Sequence, residues 1–135
     1  DFGPKTAHPT SGAICVGARQ ILVAYNVWLK NATIEDGRRI AREIRSPQVR
    51  TLGLQLGSEI QVSMNLISPD EVGPDFVFDE IAKRAEIARA ELVGLAPARV
   101  LAQIQKTRWT ELDLSKEKTI EWCLATRNRA IQNLD

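Results

Sequence analysis

Apolar positions along this chain follow two rhythms, one of period two and one near 3.6, and the switches between them mark out the elements. From Ile14 to Leu29 apolar residues dominate. From Ile21 onward Ile21, Val23, Tyr25, Val27 and Leu29 share one face and Ala24, Asn26 and Trp28 the other, which predicts a strand. Gly17 interrupts this run near its start and predicts a bulge or a close backbone approach. Thr33 followed by Asp36 has the form of a capping box, Ile40, Ala41 and Ile44 then fall on one stripe, and Pro47 forbids continuation. A helix from about Thr33 to Arg45 follows.

Leu52, Leu54 and Leu56 then alternate with Thr51, Gly53 and Gln55, and Gly57-Ser58-Glu59 turns the chain into a second alternating run, so the pair predicts a β-hairpin. In that second arm Ile60, Val62, Met64 and Leu66 take one face, and Gln61, Ser63 and Asn65 the other. The first set packs inward; the second offers amides and a hydroxyl. Pro74 suits the first turn of a helix expected to run to about Arg89, with Val77, Ile81, Ala85 and Ala88 as its stripe. Glu91-Leu92-Val93-Gly94-Leu95 completes the sheet. Pro97 opens a helix carrying Val100, Leu101 and Ile104. A last helix has Ser115 as cap, Glu117 in its first turn, and Ile120, Cys123, Leu124 and Ile131 as its buried side.

The order strand, helix, strand, strand, helix, strand, with two appended helices, is the ferredoxin-like split βαβ arrangement, an α/β (α+β) sandwich. Both helices of that arrangement cover one face of an antiparallel sheet, and the other face stays free to meet a partner. One domain of 135 residues is expected, with 1–12 as entry loop, 13–95 as core and 96–135 as terminal helices.

Composition narrows the classes further. A hydrophobic fraction of 44% and a charged fraction of 26% are those of an ordinary globular protein, and no apolar run could span a bilayer. The 18 basic and 17 acidic residues nearly cancel and are dispersed, which argues against a nucleic-acid footprint. Cys15 and Cys123, far apart and with a single histidine beside them in the whole chain, read as small core residues, and no metal is expected. The chain lacks a secretory signal, so a cytoplasmic location is the default. Its loop-like opening from Asp1 to Gly12 reads as part of a longer polypeptide.

Three stretches together resemble the formiminotransferase domain of glutamate formiminotransferase and of formiminotransferase-cyclodeaminase. The first joins Asp1-Phe2-Gly3-Pro4, His8-Pro9, Gly12-Ala13, Val16-Gly17-Ala18-Arg19 and Ala24-Tyr25-Asn26. The second is Gln61-Val62-Ser63-Met64-Asn65-Leu66, and the third Glu91-Leu92-Val93-Gly94-Leu95 followed by Pro97. Glu117-Lys118-Thr119-Ile120-Glu121 is similar to the family's closing helix. The resemblance implies a transferase of histidine degradation that moves a formimino group from N-formimino-L-glutamate to N5 of tetrahydrofolate. It implies two α/β subdomains with folate between them, a homodimer, and in this chain only the second, C-terminal subdomain. The catalytic histidine belongs to the N-terminal one.

That implication bears on the candidate residues. His8 could serve as a base, but it matches the family's His-Pro element rather than its catalytic histidine and reads as a loop residue. Arg19, expected in a strand, has two readings: a contact to a substrate carboxylate or the pterin ring, or a structural ion pair. Asn26, Gln61, Ser63 and Asn65 line neighbouring strands and supply the paired donors and acceptors that pterin recognition needs, or else an interface with the missing subdomain. Gly94 reads as a turn requirement, and Trp109 and Trp122 as packing. A stand-alone, folate-like small-molecule binding or regulatory module without catalysis is the alternative function.

Overall fold

The computed structural model describes residues 3–132, with side chains as far as Arg127. Its elements run β1 (Val23–Leu29), α1 (Ile34–Ile44), β2 (Val49–Leu56), β3 (Glu59–Leu66), α2 (Pro74–Ala82), β4 (Ile87–Val93), α3 (Ala98–Ala102), two 3-10 turns at Lys106–Arg108 and Lys116–Lys118, and α4 (Ile120–Gln132). The sheet order is β2-β3-β1-β4 and every pairing is antiparallel. This is the ferredoxin-like arrangement expected from the element order. Helix α1 lies over β2 and β3, and α2 over β1 and β4.

Period two in the strands decides what lies beneath the helices. Val23, Tyr25, Val27 and Leu29 of β1 meet Ile60, Val62, Met64 and Leu66 of β3, all at most 6% exposed, with Ile40, Val77, Phe78 and Ile81 closing from above. Burying each such side chain is worth about 1.5–3 kcal/mol. Helix α1 begins where Thr33 and Asp36 form the capping box: Thr33 Oγ1 accepts from Asp36 N at 3.2 Å, and Asp36 Oδ2 accepts from Thr33 N at 3.1 Å. At Gly53 the helix lies so close to β2 that an added Cβ would stand 2.4 Å from the Gly37 backbone. Only glycine permits that crossing, and it turns Val49 and Thr51 inward while Leu52, Leu54 and Leu56 face outward.

Two boundaries differ from expectation. The first strand starts at Val23, not Ile14: β3 ends its pairing at Val23↔Leu66 and β4 at Ala24↔Val93, so upstream residues have no ladder to join. Residues 13–20 are exposed coil, Ile14 at 86% and Val16 at 89%; Gly17 makes no bulge and Cys15 is no core residue. The second helix stops at Ala82 rather than near Arg89. Ala85 and Ala88 continue a helical stripe on paper, but Ile87–Val93 instead pairs with β1, where Ala90 opposes Val27 and Leu92 opposes Tyr25. Long-range pairing outweighs alanine's helix preference.

The appended segment is tied to the outer edge of β4. Asp113 Oδ2 accepts from the otherwise unpaired Leu92 N–H at 2.9 Å and from Lys118 Nζ at 2.6 Å. Tyr25 donates through the core to Leu112 O at 3.0 Å, and its burial raises the phenol's pKa far above the usual range, so it stays neutral. The last helix begins at Ile120, after the 3-10 turn that Ser115 precedes, and Leu124 points to solvent rather than into the core. Ile131 lies outside the described side chains. Gly94, at φ +82°, serves the turn that leaves β4.

Candidate functional site

The face of the sheet opposite α1 and α2 carries the residues with chemistry to offer, and strand register sets them in rows. One row reads Arg50, Asn65, Ala24, Val93; the next Leu52, Ser63, Asn26, Glu91; the third Leu54, Gln61, Trp28, Arg89. Side chains directly opposite in such rows stand about 4.5–5.5 Å apart at Cβ. Four of the five predicted site residues, Asn26, Gln61, Ser63 and Asn65, therefore sit together on a surface uncovered by the two helices. Arg19 does not join them. It lies in the exposed coil before β1, because no strand forms there to hold it.

Two residues that the sequence reading passed over organise this face. Glu91 Oε2 accepts from Asn26 Nδ2 at 3.1 Å and from Trp28 Nε1 at 3.2 Å, which turns the Asn26 amide and fixes the indole. Arg89 lies over the Trp28 ring, its Cζ 4.0 Å from the ring centre, and pairs with Glu59 at 2.5 Å. Hydrogen bonding from Arg89 holds the Glu59 carboxyl below the ordinary glutamate range. The signal that could have found both was the period-two alternation of Arg89, Glu91 and Val93 on β4, hidden while 83–89 was read as helix.

The middle of the face is polar and its β2 edge is apolar. Gln61 is 4% exposed, sealed between neighbours, whereas Asn65 is open and Ser63 half-buried. Leu52, Leu54 and Leu56 stand outside at 59%, 36% and 49% exposure. Next to Ser63 and Asn65, at the end of β2, a cavity of about 290 Å³ is lined also by Arg45 and Arg50. The Arg45 guanidinium donates to Thr51 O, while Arg50 forms no ion pair among the described residues. Amide edges beside an unpaired guanidinium can hold a planar polar ring carrying an anionic group.

His8 lies in an exposed turn bridged by His8 and Gly12, where its Nδ1 accepts from Ser11 N at 3.1 Å.

Fold and site together define a ferredoxin-like α+β sandwich with an uncovered sheet face bearing side-chain amides. No protein-family model matches the chain. Curated relatives do. Glutamate formimidoyltransferase of Streptococcus pyogenes is 33% identical over 116 residues, covering 77% of this chain and 39% of that protein. The enzyme of the same name from Thermoplasma acidophilum is 35% identical over 120 residues, 78% of this chain and 39% of that protein. Formimidoyltransferase-cyclodeaminase of Sus scrofa is 33% identical over 119 residues, 75% of this chain and 22% of that protein. Over about three-quarters of its length the chain is thus similar to glutamate formimidoyltransferases and formimidoyltransferase-cyclodeaminases, the formiminotransferases of the resemblance above, and it spans well under half the length of these relatives.

Proposed function

We propose that this chain is the folate-binding, C-terminal part of a glutamate formimidoyltransferase unit, with the uncovered sheet face as one wall of the folate cleft. The observation that carries this reading is the grouping of Asn26, Ser63, Gln61 and Asn65 on adjoining strands, on the side away from the helices. Asn65 is exposed and Ser63 and Asn26 are half-buried, so these three offer donor and acceptor edges to a pterin, while Gln61, buried, backs them.

In the transfer, N5 of tetrahydrofolate attacks the formimino carbon of N-formimino-L-glutamate. The new N5–C bond forms, the bond from carbon to the glutamate nitrogen breaks, N5 gives up its proton to a base, and the amine of glutamate leaves protonated. The N-terminal subdomain supplies that base, a histidine. This chain supplies binding and orientation, which together are worth on the order of 7–11 kcal/mol in favourable cases. Neither half turns over alone, and the reaction belongs to histidine degradation in the cytoplasm.

Calorimetric titration of tetrahydrofolate into the chain, alone and with the N-terminal subdomain supplied, tests this. Weak binding alone, much tighter binding with the partner, and transfer only by the mixture are the expected results. Transfer at full rate by the chain alone would overturn the division of labour.

A further inference from the structure

A cavity among the described residues lies away from the sheet face. It has a volume of about 480 Å³ and is walled by α3, the two 3-10 turns and α4, sharing no lining residue with the rows described above. Trp109 and Trp122 form its aromatic walls, Leu101 its floor, and Lys106 and Lys116 reach it from the two 3-10 turns.

Its electrostatics are lopsided. Among the described residues neither Lys106 nor Lys116 forms an ion pair. The Lys116 ammonium instead lies 4.5 Å from the centre of the Trp122 ring, a cation–π contact that keeps the charge at the cavity wall. The carboxylate on the wall, Glu121, is committed elsewhere: its Oε2 accepts from Ala98 N at 2.8 Å. Trp109 is held by its own donor, Nε1 to Ile104 O at 3.1 Å, and so presents a fixed ring. Two ammoniums without ion pairs among the described residues, beside two indoles of which Trp109 is held in place, in a largely apolar hollow suit one kind of occupant. Its rings must be flat enough to stack and it must carry a single anionic group at one end. A neutral aromatic would leave both lysines unanswered, and a polyphosphate would find too few donors.

We propose that this cavity is a second ligand site, distinct from the sheet face, for a small planar aromatic carboxylate of about two rings. Three tryptophans make the test internal, because Trp28 lies on the sheet face whereas Trp109 and Trp122 line the cavity. In nitrogen-resolved NMR of the full chain, with indole signals assigned from Trp28→Phe, Trp109→Phe and Trp122→Phe, 2-naphthoate is titrated against its neutral amide. Naphthoate is expected to move the Trp109 and Trp122 indole signals, leave Trp28 in place, and bind about tenfold tighter than the amide, the scale of a charge pair at a solvent-facing rim. Lys106→Gln with Lys116→Gln, both exposed positions, is expected to bring the two probes to equal affinity. Shifts at Trp28 alone, no shift at all, or an unchanged preference in the double variant would overturn the site. Tetrahydrofolate, by contrast, is expected to move Trp28, so failure of either site is read separately from failure of the other.

Discussion

Thr51 shows how a single side chain can be at odds with its surroundings. It points inward from β2 at 2% exposure, and its Oγ1 has no hydrogen-bond partner among the described residues. A buried hydroxyl without a partner costs about 1–3 kcal/mol, so Thr51→Val, which keeps the shape and removes the oxygen, is expected to stabilise the fold by about 1 kcal/mol, measured by urea unfolding. Asn65 is the opposite case, exposed and free of structural duties. Asn65→Ala is expected to change stability by less than about 0.5 kcal/mol while lowering tetrahydrofolate affinity about tenfold by calorimetry, the loss expected for about one hydrogen bond to a ligand. Equal affinity in parent and variant would remove Asn65 from the site.

Elements are held in register by backbone proximity as much as by apolar area. The crossing of α1 over β2 rests on Gly53, where a methyl group would meet backbone atoms of Gly37 and Arg38 at 2.4 Å. Backbone cannot yield as a side-chain tip can, so Gly53→Ala is expected to cost at least about 2–3 kcal/mol, read as a lower denaturation midpoint with an unchanged slope. Thr33→Ala removes half of the capping box and is expected to cost about 1 kcal/mol, with helix content reduced in circular dichroism only near the transition. Both effects act at the N-terminal turn of α1, where Gly37 N donates to Thr33 O at 3.1 Å, so the double variant is expected to depart from additivity.

For the whole molecule the charges matter collectively. Asp36 is held below the ordinary carboxyl range by hydrogen bonds from Thr33, Glu43 and Glu59 by hydrogen bonds from Arg84 and Arg89, and Glu80 by hydrogen bonds from Lys83 and Arg84. A carboxyl whose folded pKa lies below its unfolded value favours folding while it is ionised, and that contribution is lost as pH falls through the folded value. The melting temperature is therefore expected to hold steady near neutrality and to fall as pH drops below the model-peptide carboxyl range of about 4, with salt reducing the effect because these pairs are exposed. A melting temperature independent of pH down to about pH 3 would show that the pairs contribute nothing.

Much of the architecture was legible in the chain because short-range physics writes it there. Alternation in 60–66, the capping box at Thr33 and Asp36, Pro47 and the Gly57-Ser58 turn each specify conformation locally, and their order leads to the ferredoxin-like sheet. The grouping of Asn26 with Gln61, Ser63 and Asn65 followed from parity within two strands. What the chain by itself could not decide was where pairing stops. Ile14 and Val16 look like strand residues but have no neighbour to bond, and Ala85 and Ala88 look helical until β1 claims the segment as β4. Tertiary structure alone decided that Arg19 stands in solvent, that Glu91 and Arg89 frame Trp28, and that the β2 leucines face outward. Ladder hydrogen bonds and the close approach at Gly53 come from residues distant in sequence, and no local pattern encodes a partner that is not local.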